Sequence, residues 1–233
     1  MSLENKSRRN FKMIENPDLF IAGLTSSGKT TVSLHISDYY NYRQLRNAGT
    51  IKQIICEKYG WSPEELEEQK RADSKIRDEH HTQSTYLGKN STLNRCKLLA
   101  TRKAFEFENC PDPEKQLLIT DVRDHEESAI YLEHGFYGIF LSRTTDDYNA
   151  KHWTDANMFM NGKIIELSNT SDFAERMVIV MNGGTVSQDF WVNINPKVKR
   201  ISLPKNPDAG MLIEALDEYL SELIEPIEPD TQN

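Results

Sequence analysis

Short, almost wholly apolar runs recur along the chain, and helically spaced stretches separate them. Leu19-Phe20-Ile21-Ala22 is the first such run, and Gln116 to Thr120, Tyr137 to Leu141 and Met177 to Met181 repeat the pattern. Runs this short, apolar on both faces, are the signature of buried parallel strands. Between them the spacing predicts helices over Thr30 to Tyr40, over Gln44 to Tyr59 with a break near Gly49, over Leu93 to Phe107 and over residues 125–134. Trp61-Ser62-Pro63-Glu64-Glu65 reads as a helix start, with Ser62 as N-cap, Pro63 in the first turn and Glu65 closing a capping box. The charged helix after it should run to about Glu79. Strands alternating with helices predict an α/β fold: a parallel sheet flanked by helices, with ligands at the carboxyl ends of the strands. Residues 143–170 fit the alternation poorly and read as an insertion or lid.

The loop after the first strand changes the picture from fold to chemistry. Gly23-Leu24-Thr25-Ser26-Ser27-Gly28-Lys29-Thr30 matches G-x-x-x-x-G-K-[ST] between a predicted strand and a predicted helix. The glycines let main-chain N–H groups wrap phosphates, and the start of the helix adds its positive dipole end. Gly23, Thr25, Ser26, Ser27, Gly28, Lys29, Thr30 and the following Thr31 are therefore the candidate ATP-binding set. Lys29 is expected to reach the β- and γ-phosphates and Thr30 to ligate Mg²⁺. Leu117-Leu118-Ile119-Thr120-Asp121 reads as a second phosphate-site strand, delivering the Asp121 carboxylate to the same metal. Arg123, two residues on, is placed to grip a phosphate bidentately; the plainer alternative is a surface ion pair with Glu126 or Glu127.

Ile119-Thr120-Asp121-Val122-Arg123-Asp124-His125-Glu126 resembles the strand end of phage deoxynucleoside monophosphate kinases and of their relative, animal-type phosphomevalonate kinase. Tyr137 to Arg143 is similar to the family's next strand, Met177 to Thr185 to its late strand, and Ala48-Gly49-Thr50-Ile51-Lys52 to its x-G-P-(I/L)-K segment, with Thr50 in place of Pro. The resemblance spans about residues 18–190. It implies a P-loop, nucleotide-kinase-like fold over residues 17–224, with a helical acceptor-binding region at about 44–109 and a lid at about 143–170. It also implies ATP and Mg²⁺ as cofactors and a small phosphate-bearing acceptor, a nucleoside monophosphate, as partner. By position, Lys52 and Arg123 would hold the acceptor phosphate and Arg143 would reach the transferring phosphates from the lid. Asn182, in Asn182-Gly183-Gly184, would lie near the adenine. Arg95 and Arg102, seven residues apart on one helix face, form a second candidate phosphate clamp. The lid stretch 144–163 offers few cations, Lys151, His152 and Lys163. That leaves two alternatives open: a kinase for another phosphometabolite or a modified DNA base, and an ATP-binding switch that transfers nothing.

Composition narrows the partners. The 233 residues carry a formal charge of −8, and the eight acidic residues between Asp208 and Asp230 account for all of it, since no Lys or Arg follows residue 205. A balanced body argues against extensive nucleic-acid binding while leaving room for a local cationic pocket. No apolar stretch approaches the roughly 18 residues of a membrane span, and the basic segment 1–16 lacks a signal core, so a cytoplasmic protein is expected, with a homodimer permitted. Cys56, Cys96 and Cys110 form no C-x-x-C and suggest neither disulfide nor zinc, and His80-His81, about 100° apart on a helix, do not chelate from one face. Residues 225–233, broken by Pro226 and Pro229, read as a disordered acidic tail.

Overall fold

The structure, a computed structural model, describes residues 16–23, 27–47, 55–73, 75–76, 88–101, 115–143, 162–182, 188–204 and 208–224. Six strands form one sheet: β1 (Leu19–Gly23), β2 (Arg43–Leu45), β3 (Leu117–Val122), β4 (Tyr137–Arg143), β5 (Met177–Asn182) and β6 (Lys199–Ser202). Their spatial order is β2-β3-β1-β4-β5-β6, and every pairing is parallel. The helices are α1 (Lys29–Tyr40), α2 (Pro63–Ala72), α3 (Gly88–Ala100), α4 (His125–Glu133), α5 (Lys163–Ser168), α6 (Ser171–Ala174), α7 (Gln188–Val192) and α8 (Ala209–Leu223).

The strands are apolar throughout because both sheet faces are covered. Leu19, Ile21, Leu118, Ile139, Leu141, Val178 and Val180 point to one face, where α1 supplies Val32, Ile36 and Tyr40, and α8 supplies Leu212, Leu216 and Leu220. Phe20, Leu117, Ile119, Phe140 and Ile179 point to the other, packed under Cys96 and Leu99 of α3 and Ile130, Tyr131 and Leu132 of α4. An aromatic cluster anchors that second core: Phe20 meets Phe140 edge-on at 5.5 Å, and Tyr131 lies 5.6 Å from Phe20 and 5.1 Å from Phe136. Gly138 admits it, since a Cβ there would lie 2.6 Å from the Phe20 ring. On the first face, Asp217 of α8 accepts hydrogen bonds from the Tyr40 hydroxyl at 2.9 Å and His35 Nε2 at 2.7 Å, tying the acidic helix to α1.

Several boundaries differ from the expectation. Arg43–Leu45 is a strand, not the start of a helix, so the acceptor region predicted from residue 44 opens inside the sheet. Leu45 is its only apolar residue, and an edge strand this short gives no periodic signal. Helix is present over 55–59, whereas Lys52 and the rest of 48–54 lie outside the described residues. α2 carries the predicted capping box but ends at Ala72, because Asp73 turns extended (φ −127°, ψ 119°). α3 begins five residues before Leu93, and residues 102–107 lie outside the described ones. Phe190 to Leu203 holds the end of α7 and the edge strand β6, elements that the apolar pattern does not predict. Residues 1–15, 144–161 and 225–233 lie outside the described residues, so the N-terminal extension, most of the lid and the acidic tail do too, with Lys151 and His152. Among the described residues, Cys56 and Cys96 are free thiols, and no helix is long and apolar enough to cross a membrane.

Candidate active site

β1 and β3 are neighbours, yet α1 leaves β1 over one face while α4 leaves β3 over the other. That reversal opens a crevice at the carboxyl ends of these two strands, where open α/β sheets bind ligands. The glycine-rich loop follows β1 and Arg123 follows β3, so the topology brings the two predicted halves of the site to one edge.

Gly23 ends β1 against Leu141 of β4, and a Cβ on it would stand 2.1 Å from the Leu141 carbonyl oxygen. Thr25 and Ser26 lie outside the described residues, and Ser27 is fully buried where the chain returns. Gly28 is the N-cap of α1 in the left-handed region (φ 99°), with no side-chain cap on the helix. That leaves the first N–H groups of α1 directed at the loop, as an anion would require. Lys29 folds back across the loop, its Nζ donating to the Gly23 carbonyl at 2.7 Å. Thr30 is exposed, and Thr31 is half-buried beside it.

Asp121 sits at an irregularity in β3. The register with β1 slips between Phe20↔Ile119 and Ala22↔Val122, so β3 carries one extra residue there. The slip turns Val122 into the same core as Ile119 and sets Asp121, half-buried, at the carboxyl edge. Its Oδ1 accepts the Asn47 main-chain N–H at 2.6 Å, which ties the end of β2 to the end of β3. A hydroxyl on Thr30, in the first turn of α1, and a carboxylate on Asp121, near the end of β3, suit a Mg²⁺ held mainly by water and phosphate oxygens. The Gly23 cradle, the uncapped helix start and Lys29 suit the phosphates of ATP.

Arg123 is half-buried, and among the described residues no carboxylate pairs with its guanidinium. The surface pairing considered for it is replaced by a main-chain contact: the Arg123 N–H donates to Glu127 Oε2 at 2.9 Å. Arg95 is half-buried on α3, while its proposed partner Arg102 lies outside the described residues. Arg143 ends β4 in register with Asn182 at the end of β5, so both backbones reach the same edge as Gly23. Lys163 is committed to Glu166 at 2.6 Å.

Three further residues belong to the site, of which the sequence points only to Glu127, and to that one as an ion-pair partner of Arg123. Arg46 follows β2, exposed and without an ion-pair partner among the described residues. Asn47, beside it, is 4% exposed and accepts from the Tyr131 hydroxyl at 2.6 Å on its Oδ1. Glu127 faces them from α4, with Asn47 Nδ2 3.5 Å from its Oε2. Burial pushes the Glu127 carboxyl up from its ordinary 4.5 to about 7; hydrogen bonds from the Arg123 and Asp124 main chain pull it down, and the Asp121 and Asp124 charges add to the rise. The folded protein therefore holds this proton more tightly than the unfolded chain. Its stabilising effect is full below about 4.5 and is lost as pH rises through about 7. Glu127→Gln removes that titration, so its melting temperature should gain on the wild type between pH 5 and pH 8. A difference that does not change with pH would contradict the assignment.

No protein-family model matches the chain, and no curated protein does. Among solved structures, an unliganded sugar kinase from Janibacter sp. HTCC2649 is similar over 89% of this chain and 95% of its own, at 13% identity and a TM-score of 0.41. A shikimate kinase from Acinetobacter baumannii, in complex with shikimate, is similar over 91% of this chain and 97% of its own, at 12% identity and a TM-score of 0.39. Likeness this distant assigns no activity, and the reading of the site rests on its own residues.

Proposed function

We propose that this protein is a P-loop kinase that moves the γ-phosphoryl group of MgATP onto a small, phosphate-bearing acceptor, a nucleoside monophosphate being the class its sequence resembles. The observation that carries the reading is the pairing at one crevice: the G-x-x-x-x-G-K-T loop after β1, and Arg123, an arginine without an ion-pair partner among the described residues, after the adjacent β3. One end has the chemistry for a nucleoside triphosphate and the other for a second phosphate.

In the reaction, an acceptor phosphate oxygen attacks the γ-phosphorus, the bond to the β–γ bridging oxygen breaks, and ADP leaves with that electron pair. The acceptor oxygen is already anionic, so no general base is needed. The chain's work is positioning and charge neutralisation. Lys29 and the start of α1 would hold the β- and γ-phosphates, Arg123 and Arg46 the acceptor phosphate, and Arg143 the group in transit. Thr30 and Asp121 would hold Mg²⁺, which neutralises phosphate charge when bound.

A panel of ribo- and deoxyribonucleoside monophosphates, screened for stimulated ADP release, tests the reading. Arg123→Ala should raise the KM of the responding acceptor about 10–100-fold, the worth of a lost charge-assisted hydrogen bond, and move the KM for ATP less than about twofold. Equal effects on both substrates would remove Arg123 from the acceptor end. One observation favours a second reading, an ATP-binding switch: Lys163, one of the few lid cations, is already paired with Glu166. Slow ATP hydrolysis that no acceptor stimulates would select it.

A further inference from the structure

Glu127 is expensive where it stands. It is largely enclosed by the fold, close enough to Asp121 and Asp124 for both charges to act on it, and its acidity is suppressed accordingly. Part of its role is local, since as the third residue of α4 it accepts from the main chain of the N-cap Asp124, whose own Oδ1 accepts from the Glu126 N–H at 2.9 Å, but capping does not call for the contact with Asn47. An apolar residue at 127 would avoid the cost of burying a carboxyl group.

What Glu127 does is join parts that the sheet alone leaves separate. Its Oε2 takes the Arg123 main-chain N–H at 2.9 Å and lies 3.5 Å from Asn47 Nδ2. Asn47 is held at its other two groups, with its N–H on Asp121 Oδ1 at 2.6 Å and its Oδ1 receiving the Tyr131 hydroxyl at 2.6 Å. Two residues of α4, Glu127 and Tyr131, thus clamp the carboxyl end of β2 to that of β3. Arg46 and Arg123, whose guanidinium groups have no ion-pair partner among the described residues, hang from the two clamped backbones. Fixing two guanidinium groups relative to one another is what bidentate capture of a single phosphate needs, and small misplacements there are costly.

We propose that Glu127 is a positioning residue of the acceptor site: through the Arg123 main chain and the Asn47 amide it sets the spacing at which Arg46 and Arg123 close on one acceptor phosphate. The proposal takes its ligand class from the kinase reading and its geometry from the hydrogen bonds. It accounts for a polar side chain kept where packing alone would favour an apolar one. It also makes Tyr131, deep in the aromatic core, a contributor to binding through its hydroxyl alone.

The test uses the full chain, ¹⁵N-labelled, with inorganic phosphate as probe and the Asn47 and Arg123 amide resonances as reporters. A fluorescent ATP analogue reads the P-loop half independently. In the wild type, phosphate should shift both resonances saturably. Glu127→Ala should weaken that binding at least tenfold while changing the affinity for the ATP analogue less than twofold. Glu127→Gln, which keeps an oxygen for the Arg123 N–H, should recover most of the loss. Tyr131→Phe removes one hydroxyl and little volume, and should cost a few-fold if Glu127→Ala fails to fold. In turnover, the same variants should raise the acceptor KM with kcat nearly unchanged. Phosphate that leaves both resonances unmoved in the wild type overturns the proposal, as does a folded Glu127→Ala or Tyr131→Phe that binds it at wild-type strength. Parallel loss of phosphate and ATP analogue would reduce Glu127 to a structural role and also overturn it. Phosphate binding as described, with no acceptor stimulating ADP release, supports the brace and removes the kinase reading alone.

Discussion

Lys29→Ala should fold and should lose phosphoryl transfer by at least about 10²–10³-fold, the usual effect of deleting one positioned group that meets transition-state charge. Lys29 is half-buried, and α1 is held by Val32, Ile36 and Tyr40 rather than by it. Its bond to the Gly23 carbonyl is worth about 0.5–1.5 kcal/mol, too little to unfold the domain. That bond is also informative about binding. The ammonium group lies against the loop backbone, and a bound nucleotide would offer it oxygen partners of full negative charge. The variant should therefore melt within a few degrees of the wild type, while kcat collapses. Turnover retained by a folded Lys29→Ala protein would sink the assignment of this loop to ATP.

Gly23→Ala should be the more damaging structural change at the same loop. The added Cβ would stand 2.1 Å from the Leu141 carbonyl oxygen and 3.1 Å from the Leu141 Cβ, and backbone atoms cannot swing aside as a side-chain tip does. Relief requires β1 and β4 to part where Gly23 pairs with Leu141, which also moves the root of the loop. Overpacking of this kind costs about 1–3 kcal/mol, or roughly 3–10 °C in melting temperature for a domain of this size. Affinity for an ATP analogue should fall at least about tenfold, because the displaced backbone is what carries the phosphate-binding N–H groups. Wild-type stability together with wild-type affinity would show that this end of β1 is not the tight joint described.

The two variants separate what the sequence made legible from what only topology reveals. β1, β3, β4 and β5 could be read because strands buried on both faces are apolar without interruption. β2 and β6 could not: Arg43-Gln44-Leu45 and Lys199-Arg200-Ile201-Ser202 are edge strands, short or exposed, and polar residues at an edge look like loop. Site residues close together in the chain were legible on the same terms. Gly23 to Thr30 carry their own spacing, and Asp121 and Arg123 announce themselves at the end of an apolar run. Asn47 and Tyr131 carry no such signal, and neither does the contact of Glu127 with Asn47, because these hydrogen bonds depend on where the unrecognised β2 lies beside β3. Arg46 was missed for the same reason. Without β2, it sits inside a supposed helix; with β2, it hangs at the carboxyl edge of the sheet. α8 shows the converse, since Asp217 contributed only to a charge count until packing set it against His35 and Tyr40.

The most direct test of one crevice serving both a triphosphate and an acceptor is to follow the label from γ-³²P-ATP. With an acceptor chosen from the monophosphate panel, the label should move into phosphorylated acceptor in step with ADP formation, and both should vanish in Lys29→Ala. Label that appears only as inorganic phosphate, at a rate no acceptor changes, would contradict the account.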